Sequence, residues 1–292
     1  ARPWAEPTMQ EHHASSAVPS ETSLTPIEGW HCSHFYYRFD RRILAQLDHE
    51  SISAGKRQFL AILDPNGPDA AARMQVGVVS GHKADFGLMA LDADPLRVQG
   101  VHQRLLACEL GPALMPTYSF VSMTEVSEYV PTVEVYGERL RAGGESADSP
   151  AYAAKVRTFA EREPRMRRQR LTPDLPGWPA TCFYPMNKKR AVGENWFLLP
   201  FADRNRLMAD HARSGMDFAD RVTQLITVGV GLDDWEWGVT LWARNPQFLR
   251  EIVYRMRFDE ASARYGEFGP FHAGFVLSAD AVLRHCRVGR EG

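Results

Sequence analysis

The sequence predicts an α+β fold made of two ferredoxin-like halves. Three observations carry that expectation. Strand and helix patterns run in the order β-α-β-β-α-β up to about residue 130, and the same order returns after residue 181. The stretch between them, 131–180, is polar and punctuated by Gly and Pro, so it reads as a linker. The chain has 292 residues, 44% hydrophobic and 24% charged, which is enough apolar material for two cores.

The first 26 residues, rich in Pro, Ser, Thr, Glu and Ala, read as a disordered extension. Residues 27–130 form the expected N-terminal domain. GWHCSHFYYRF at 29–39 is aromatic and β-prone, hence a strand. Asp40 is placed to cap a helix in which Ile43, Leu44, Leu47, Phe59, Leu60 and Leu63 recur at helical spacing. DPNGPD at 64–69 is a turn cluster. Two short strands, 75–81 and 85–92, meet across His82-Lys83. Asp94-Pro95 opens a helix to about Cys108, Gly111-Pro112 ends it, and a strand follows at 116–129. In the linker, a short helix is expected around Tyr152 to Arg162, followed by the cationic run Arg165, Arg167, Arg168, Arg170.

Residues 181–292 repeat the order. The strand is at 181–188 and a helix runs from about Phe201 to Ala219. Strands lie at 222–231 and 234–243, a helix runs from Pro246 to about Arg264, and a strand at 268–278 closes the unit. Two such halves can pair their sheets face to face or close them into a barrel, with helices outside.

Composition narrows the function. The formal net charge is -2, so bulk charge gives no reason to expect a nucleic-acid partner. No apolar run is long enough to span a membrane, and the N-terminus carries no signal-type segment. Cys32, Cys108, Cys182 and Cys286 are scattered without a CxxC pair, which fits reduced thiols and a cytoplasmic protein. There is no P-loop, GxGxxG, HExxH or GxSxG pattern, so ligand-borne chemistry is the better account.

TCFYPMNKKR at 181–190 sets Tyr184 beside Lys188, Lys189 and Arg190. Such cations either suit carboxylates or phosphates on a ligand or belong to a solvated turn. On the helix after Pro200, Met208, His211, Gly215 and Phe218 share one stripe. His211 there is either a core histidine or a metal ligand, and Gly215 bares the helix face to a flat group. Gln224 is a polar residue in an apolar strand and needs a partner or a cavity. Trp196, Trp235 and Trp237 read first as core. Arg257, Ser262 and Arg264 gather at a helix end, where cations complement the dipole.

FYPMNKKR, ENWFLLP, DHARSG, VTQLIT, DDWEWGVTL and MRFDEASARYGEFGPF, in this order and spacing, resemble the coproheme decarboxylases of the chlorite-dismutase-like superfamily. The close match spans about Arg170 to Leu277. The N-terminal half matches in element order and loosely in sequence, and the first 25 or so residues match nothing. The resemblance implies an α+β fold of the dimeric α+β-barrel type and assembly as a homopentamer. It also implies hydrogen-peroxide-dependent decarboxylation of two propionates of iron-coproporphyrin III (coproheme) to vinyls, giving haem b. By the same resemblance His211 is the proximal iron ligand and Tyr184 the radical-forming tyrosine. Arg170, Lys188 and Ser262 fall at propionate-binding positions, with Arg257 in the same shell. Gln224 is the distal glutamine where chlorite dismutases carry arginine, and Tyr152 matches a pocket tyrosine. A transient contact with the ferrochelatase that inserts iron into coproporphyrin is implied as well.

Overall fold

The computed structural model describes residues 22–289. The disordered extension expected over 1–26 therefore falls, up to residue 21, outside the described residues. The first half comprises β1 (His31–Phe39), α1 (Arg41–Leu44), α2 (His49–Ile62), β2 (Arg73–Val79), β3 (Phe86–Asp92), α3 (Pro95–Ala107) and β4 (Leu114–Thr124). Two helices follow, α4 (Val133–Ala142) and α5 (Pro150–Leu171). The second half comprises β5 (Ala180–Lys188), a small hairpin β6 (Arg190–Ala191) and β7 (Glu194–Asn195), α6 (Phe201–Met216), β8 (Val222–Val228) and β9 (Trp237–Ala243). It continues with α7 (Pro246–Met256), α8 (Glu260–Ala263), β10 (Gly266–Phe268), β11 (His272–Val276) and α9 (Ala279–His285).

The strands make one nine-stranded antiparallel sheet. Within it β2-β3-β1-β4 and β11-β5-β9-β8 are two copies of the ferredoxin-like order. The copies join at both edges, β2 to β11 and β4 to β8, so the sheet closes into a barrel. Closure removes the exposed edges that open sheets must protect. Alternation then sorts side chains. Along β1, Phe35, Tyr37 and Phe39 point outward into a core shared with α2, α3 and α9, while Cys32, His34 and Tyr36 point into the barrel.

Local chemistry explains where the elements differ from expectation. The single helix expected after Asp40 is two, because Asp48 accepts from the Ser51 amide at 2.7 Å and starts a second helix. The helix expected from Pro246 to Arg264 stops at Met256, and Asp259 caps a fresh turn by accepting from the Ser262 amide at 2.9 Å. The strand at 234–243 begins at Trp237, since Asp233 folds back on the Asp234 amide. The short helix expected around Tyr152 runs for 22 residues, with Ser149 at its N-cap and Pro164 inside. Pro164 removes one helix hydrogen bond, but α5 has no buried residue, so solvent can satisfy the freed carbonyl. The C-terminal α9 was not expected, and it places Val282 and Leu283 in the first half's core.

Candidate active site

α6 starts after Pro200, and its buried residues are Leu207 and Ser214. Leu207 packs with Trp196, Ala261 and Tyr265. This leaves His211 at the edge of the buried stripe, with its side chain 24% exposed. His211 Nδ1 lies 3.0 Å from Asp259 Oδ2 and 3.3 Å from Ser262 Oγ. Ser262 Oγ also donates to Asp259 Oδ2, at 3.1 Å. Burial works against the Asp259 carboxylate, but His211 and the Ser262 amide and hydroxyl more than offset it, so its pKa falls below the usual value. An ionised Asp259 holds the proton on Nδ1 and leaves Nε2 as a lone-pair donor. Among the described residues no hydrogen bond is made by Nε2.

Tyr184 and Lys188 both sit on the outward face of β5. Tyr184 is 7% exposed, stacks on Phe271 with ring centres 4.5 Å apart, and lies 5.9 Å from Phe268. Arg257 lies over the Phe268 ring, 4.2 Å from its centre. Burial pushes the phenol well above its ordinary pKa, so Tyr184 is protonated; Arg257 only partly counters this. Its hydroxyl makes no hydrogen bond among the described residues. Lys188 Nζ donates to Ala261 O at 3.3 Å and sits 4.2 Å above the Trp196 ring. Burial pulls its pKa down to about 8, against the opposing pull of Asp259 and Glu236. Lys188 thus feels the carboxylate that orients His211.

Gln224 lies on β8 and is exposed. The register runs Cys182–Leu241–Gln224 on one rung and Tyr184–Val239–Ile226 on the next. With strands spaced ~4.8 Å apart and ~3.4 Å per residue, the backbones of Tyr184 and Gln224 lie about 12 Å apart on one face. Ile226 on that face is 41% exposed, because α6 packs chiefly on α7 and α8 and does not cover β8. A cavity of about 490 Å³ opens nearby between α7 and the outer face of β5 and β11, and Cys182, Arg257 and Phe271 line it.

The structure therefore draws His211, Ser262, Lys188, Tyr184 and Arg257 together, with Gln224 facing the same open strand surface. Arg170 and Tyr152 are placed differently. They sit in the last and first turns of α5, about 27 Å apart along its axis. The Tyr152 hydroxyl packs against Gly137 of α4, so these two residues cannot hold the same carboxylate. Asp259 was missed from sequence. Its signal was the Asp-x-x-Ser capping pattern of 259–262, hidden inside an expected continuous helix.

The residues fit a haem-type group. His211 offers one nitrogen with the other tied to a carboxylate, the usual arrangement for an imidazole ligand. Ile226 supplies exposed apolar surface, and Lys188 and Arg257 supply cations for peripheral carboxylates.

The family model described as chlorite dismutase matches residues 53–277. A protein of Staphylococcus carnosus named coproheme decarboxylase is 34% identical over 270 residues, 90% of this chain and 97% of that protein. Among solved structures, a heme-binding protein from Thermus thermophilus superposes with a TM-score of 0.73 at 30% identity, covering 89% of this chain and 96% of that one. A variant chlorite dismutase from Candidatus Nitrospira defluvii superposes at 0.65 with 14% identity, over 90% and 98% of the two chains, and shows the fold alone. The extent of the family match and the 34% identity place this chain in the chlorite dismutase family.

Proposed function

We propose that this protein is a coproheme decarboxylase, converting two propionates of iron-coproporphyrin III to vinyls with hydrogen peroxide and releasing haem b. The observation that carries this reading is the His211–Asp259–Ser262 cluster, in which Nδ1 is tied to a carboxylate and Nε2 is left without a hydrogen bond among the described residues. The 34% identity to a coproheme decarboxylase supports it. His211 would hold the iron, Gln224 would line the open strand face, and Lys188, Arg257 and Arg170 would orient substrate carboxylates. The Ser262 hydroxyl, expected at a carboxylate, donates to Asp259 and would act through the His211 cluster. Tyr152 acts at most from the far end of α5. In this reading the second half, 181–292, binds substrate, the first half is scaffold, and the protein is a cytoplasmic homopentamer that meets the iron-inserting enzyme transiently.

Coproheme, when bound with peroxide, supplies the oxidising equivalents. The chain's own contribution is positional. A propionate C–H is not acidic, so no side-chain base can remove it. A buried, protonated phenol can give up a hydrogen atom to the peroxide-derived oxidant and regain one from the propionate. The propionate then loses carbon dioxide and a second electron to leave the vinyl, so that each vinyl formed consumes one peroxide and yields two waters. Orientation of reacting groups of this kind contributes about 7–11 kcal/mol. At the distal position Gln224 is a neutral amide, which does not offer the cation suited to chlorite.

Tyr184→Phe tests the proposal. The hydroxyl has no protein partner among the described residues, so the variant is expected to fold normally and bind coproheme within about 1.5 kcal/mol of the parent. Peroxide-driven decarboxylation, read as porphyrin mass, is expected to all but vanish. Conversion near the parental rate removes Tyr184 from the chemistry. Sustained oxygen release from chlorite would instead assign the sister activity.

A further inference from the structure

The barrel interior holds a polar group that the proposed chemistry does not use. His34 on β1 and His272 on β11 point inward and are 2% and 5% exposed. His34 Nε2 pairs with Thr240 Oγ1 on β9 at 2.8 Å, and its ring stacks on Phe183 at 4.0 Å. The His272 ring stacks on Tyr36 at 4.1 Å and on Tyr118 at 5.0 Å. Nδ1 of His34 and Nδ1 of His272 are both buried without a hydrogen-bond partner among the described residues. Both rings line one cavity of about 50 Å³, together with Tyr36, Gln75, Thr240 and Trp242. Native interiors rarely leave such atoms unpaired.

We propose that this cavity is a built hydration site at the seam of the two halves, with one or two waters held by His34 Nδ1 and His272 Nδ1. Its walls come from both halves, since His34, Tyr36 and Gln75 belong to the first and Thr240, Trp242 and His272 to the second. The size admits water, which needs only ~10–15 Å³ of such space and two to four polar partners. The charge state selects it. Burial and repulsion from His272 drop His34 to about 3, and burial with Lys83 nearby drops His272 to about 4, against a small opposing pull from the Pro270 backbone, so both are neutral at ordinary pH. A neutral imidazole nitrogen is either donor or acceptor, and water serves both. Among the described residues no lysine or arginine lines the cavity to meet an anion, and Lys83 Nζ is turned to the Phe271 carbonyl at 2.8 Å.

A crystal structure of the full chain at neutral pH, with and without xenon pressurisation, tests this. Ordered water within 3.2 Å of His34 Nδ1 and of His272 Nδ1, with no xenon entering, is the expected result. Xenon in the cavity shows a dry apolar void and overturns the proposal. So does a larger bound molecule, or rings rotated so that protein atoms satisfy both nitrogens.

Discussion

The two halves share one topology and use it oppositely. In the first, α2 and α3 lie on the sheet, and Phe59, Val98, Val101 and Leu105 are sealed against Phe35, Tyr37 and Phe86. In the second, α7 alone does this, with Leu249, Ile252 and Met256 against β5 and β9. The other helix, α6, packs beside α7 and α8 and leaves Gln224 and Ile226 of β8 uncovered. Displacing one helix from a duplicated fold leaves a strand face open and sets His211 against Asp259 and Ser262 after α7 instead. Burial that stabilises the first half is absent from this face of the second, which is the surface the proposed function uses.

The sharpest test of that contrast is a matched truncation. Phe59→Ala is expected to cost about 3–5 kcal/mol in denaturant unfolding, because it opens a fully buried core. Ile226→Ala, on the open face, should cost under about 0.5 kcal/mol. Comparable losses would mean that β8 is as well covered as the first half.

Acid should weaken the seam between the halves. His34 faces Thr240, Phe183, Phe120 and His272; His272 faces Tyr36, Tyr118 and Lys83. Their folded pKa values, about 3 and about 4, lie below the unfolded 6.5. The unfolded chain therefore binds more protons below pH 6.5, and stability falls as pH drops from there toward about 4 for His272 and about 3 for His34. Each histidine contributes up to ~1.4 kcal/mol per pH unit. Replacing His34 with Gln should flatten this slope in urea titrations, and an unchanged slope would remove His34 as its source.

Lys188 poses the opposite trade. Desolvation lowers its pKa from 10.5 to about 8, so keeping it charged at pH 7 destabilises the fold. Lys188→Met is expected to raise ligand-free stability by about 1–3 kcal/mol while weakening coproheme binding. A loss of stability would show that its contacts to Ala261 and Trp196 outweigh desolvation. Asp259→Asn is expected to cost about 1–2 kcal/mol of stability and to shift the Soret band of the coproheme complex, because the amide no longer holds Nδ1–H as a carboxylate does. A Soret band identical to the parent's would mean that Asp259 does not tune the histidine.

The repeated strand and helix order was legible because apolar alternation and Pro or Gly punctuation are local. His211, Tyr184, Lys188, Arg257, Ser262 and Gln224 were legible as residue types, and the motifs around them pointed to one family. Other features were not, two of them at or near the site. The length of α5 was masked by Pro164 and by a helix with no buried face, whose pattern carries no hydrophobic period. Asp259 was masked because a single cap residue divides what periodicity reads as one helix.

What the sequence alone determined is the repeated strand and helix order of the two halves and the chemistry of the side chains, since these rest on short-range pattern and composition. Tertiary structure decided that β2 meets β11 and β4 meets β8, closing the barrel. It also decided that α6 leaves β8 open, and that Asp259, 48 positions from His211, holds Nδ1. Those outcomes depend on which surfaces win the competition for burial, and long-range packing settles that competition.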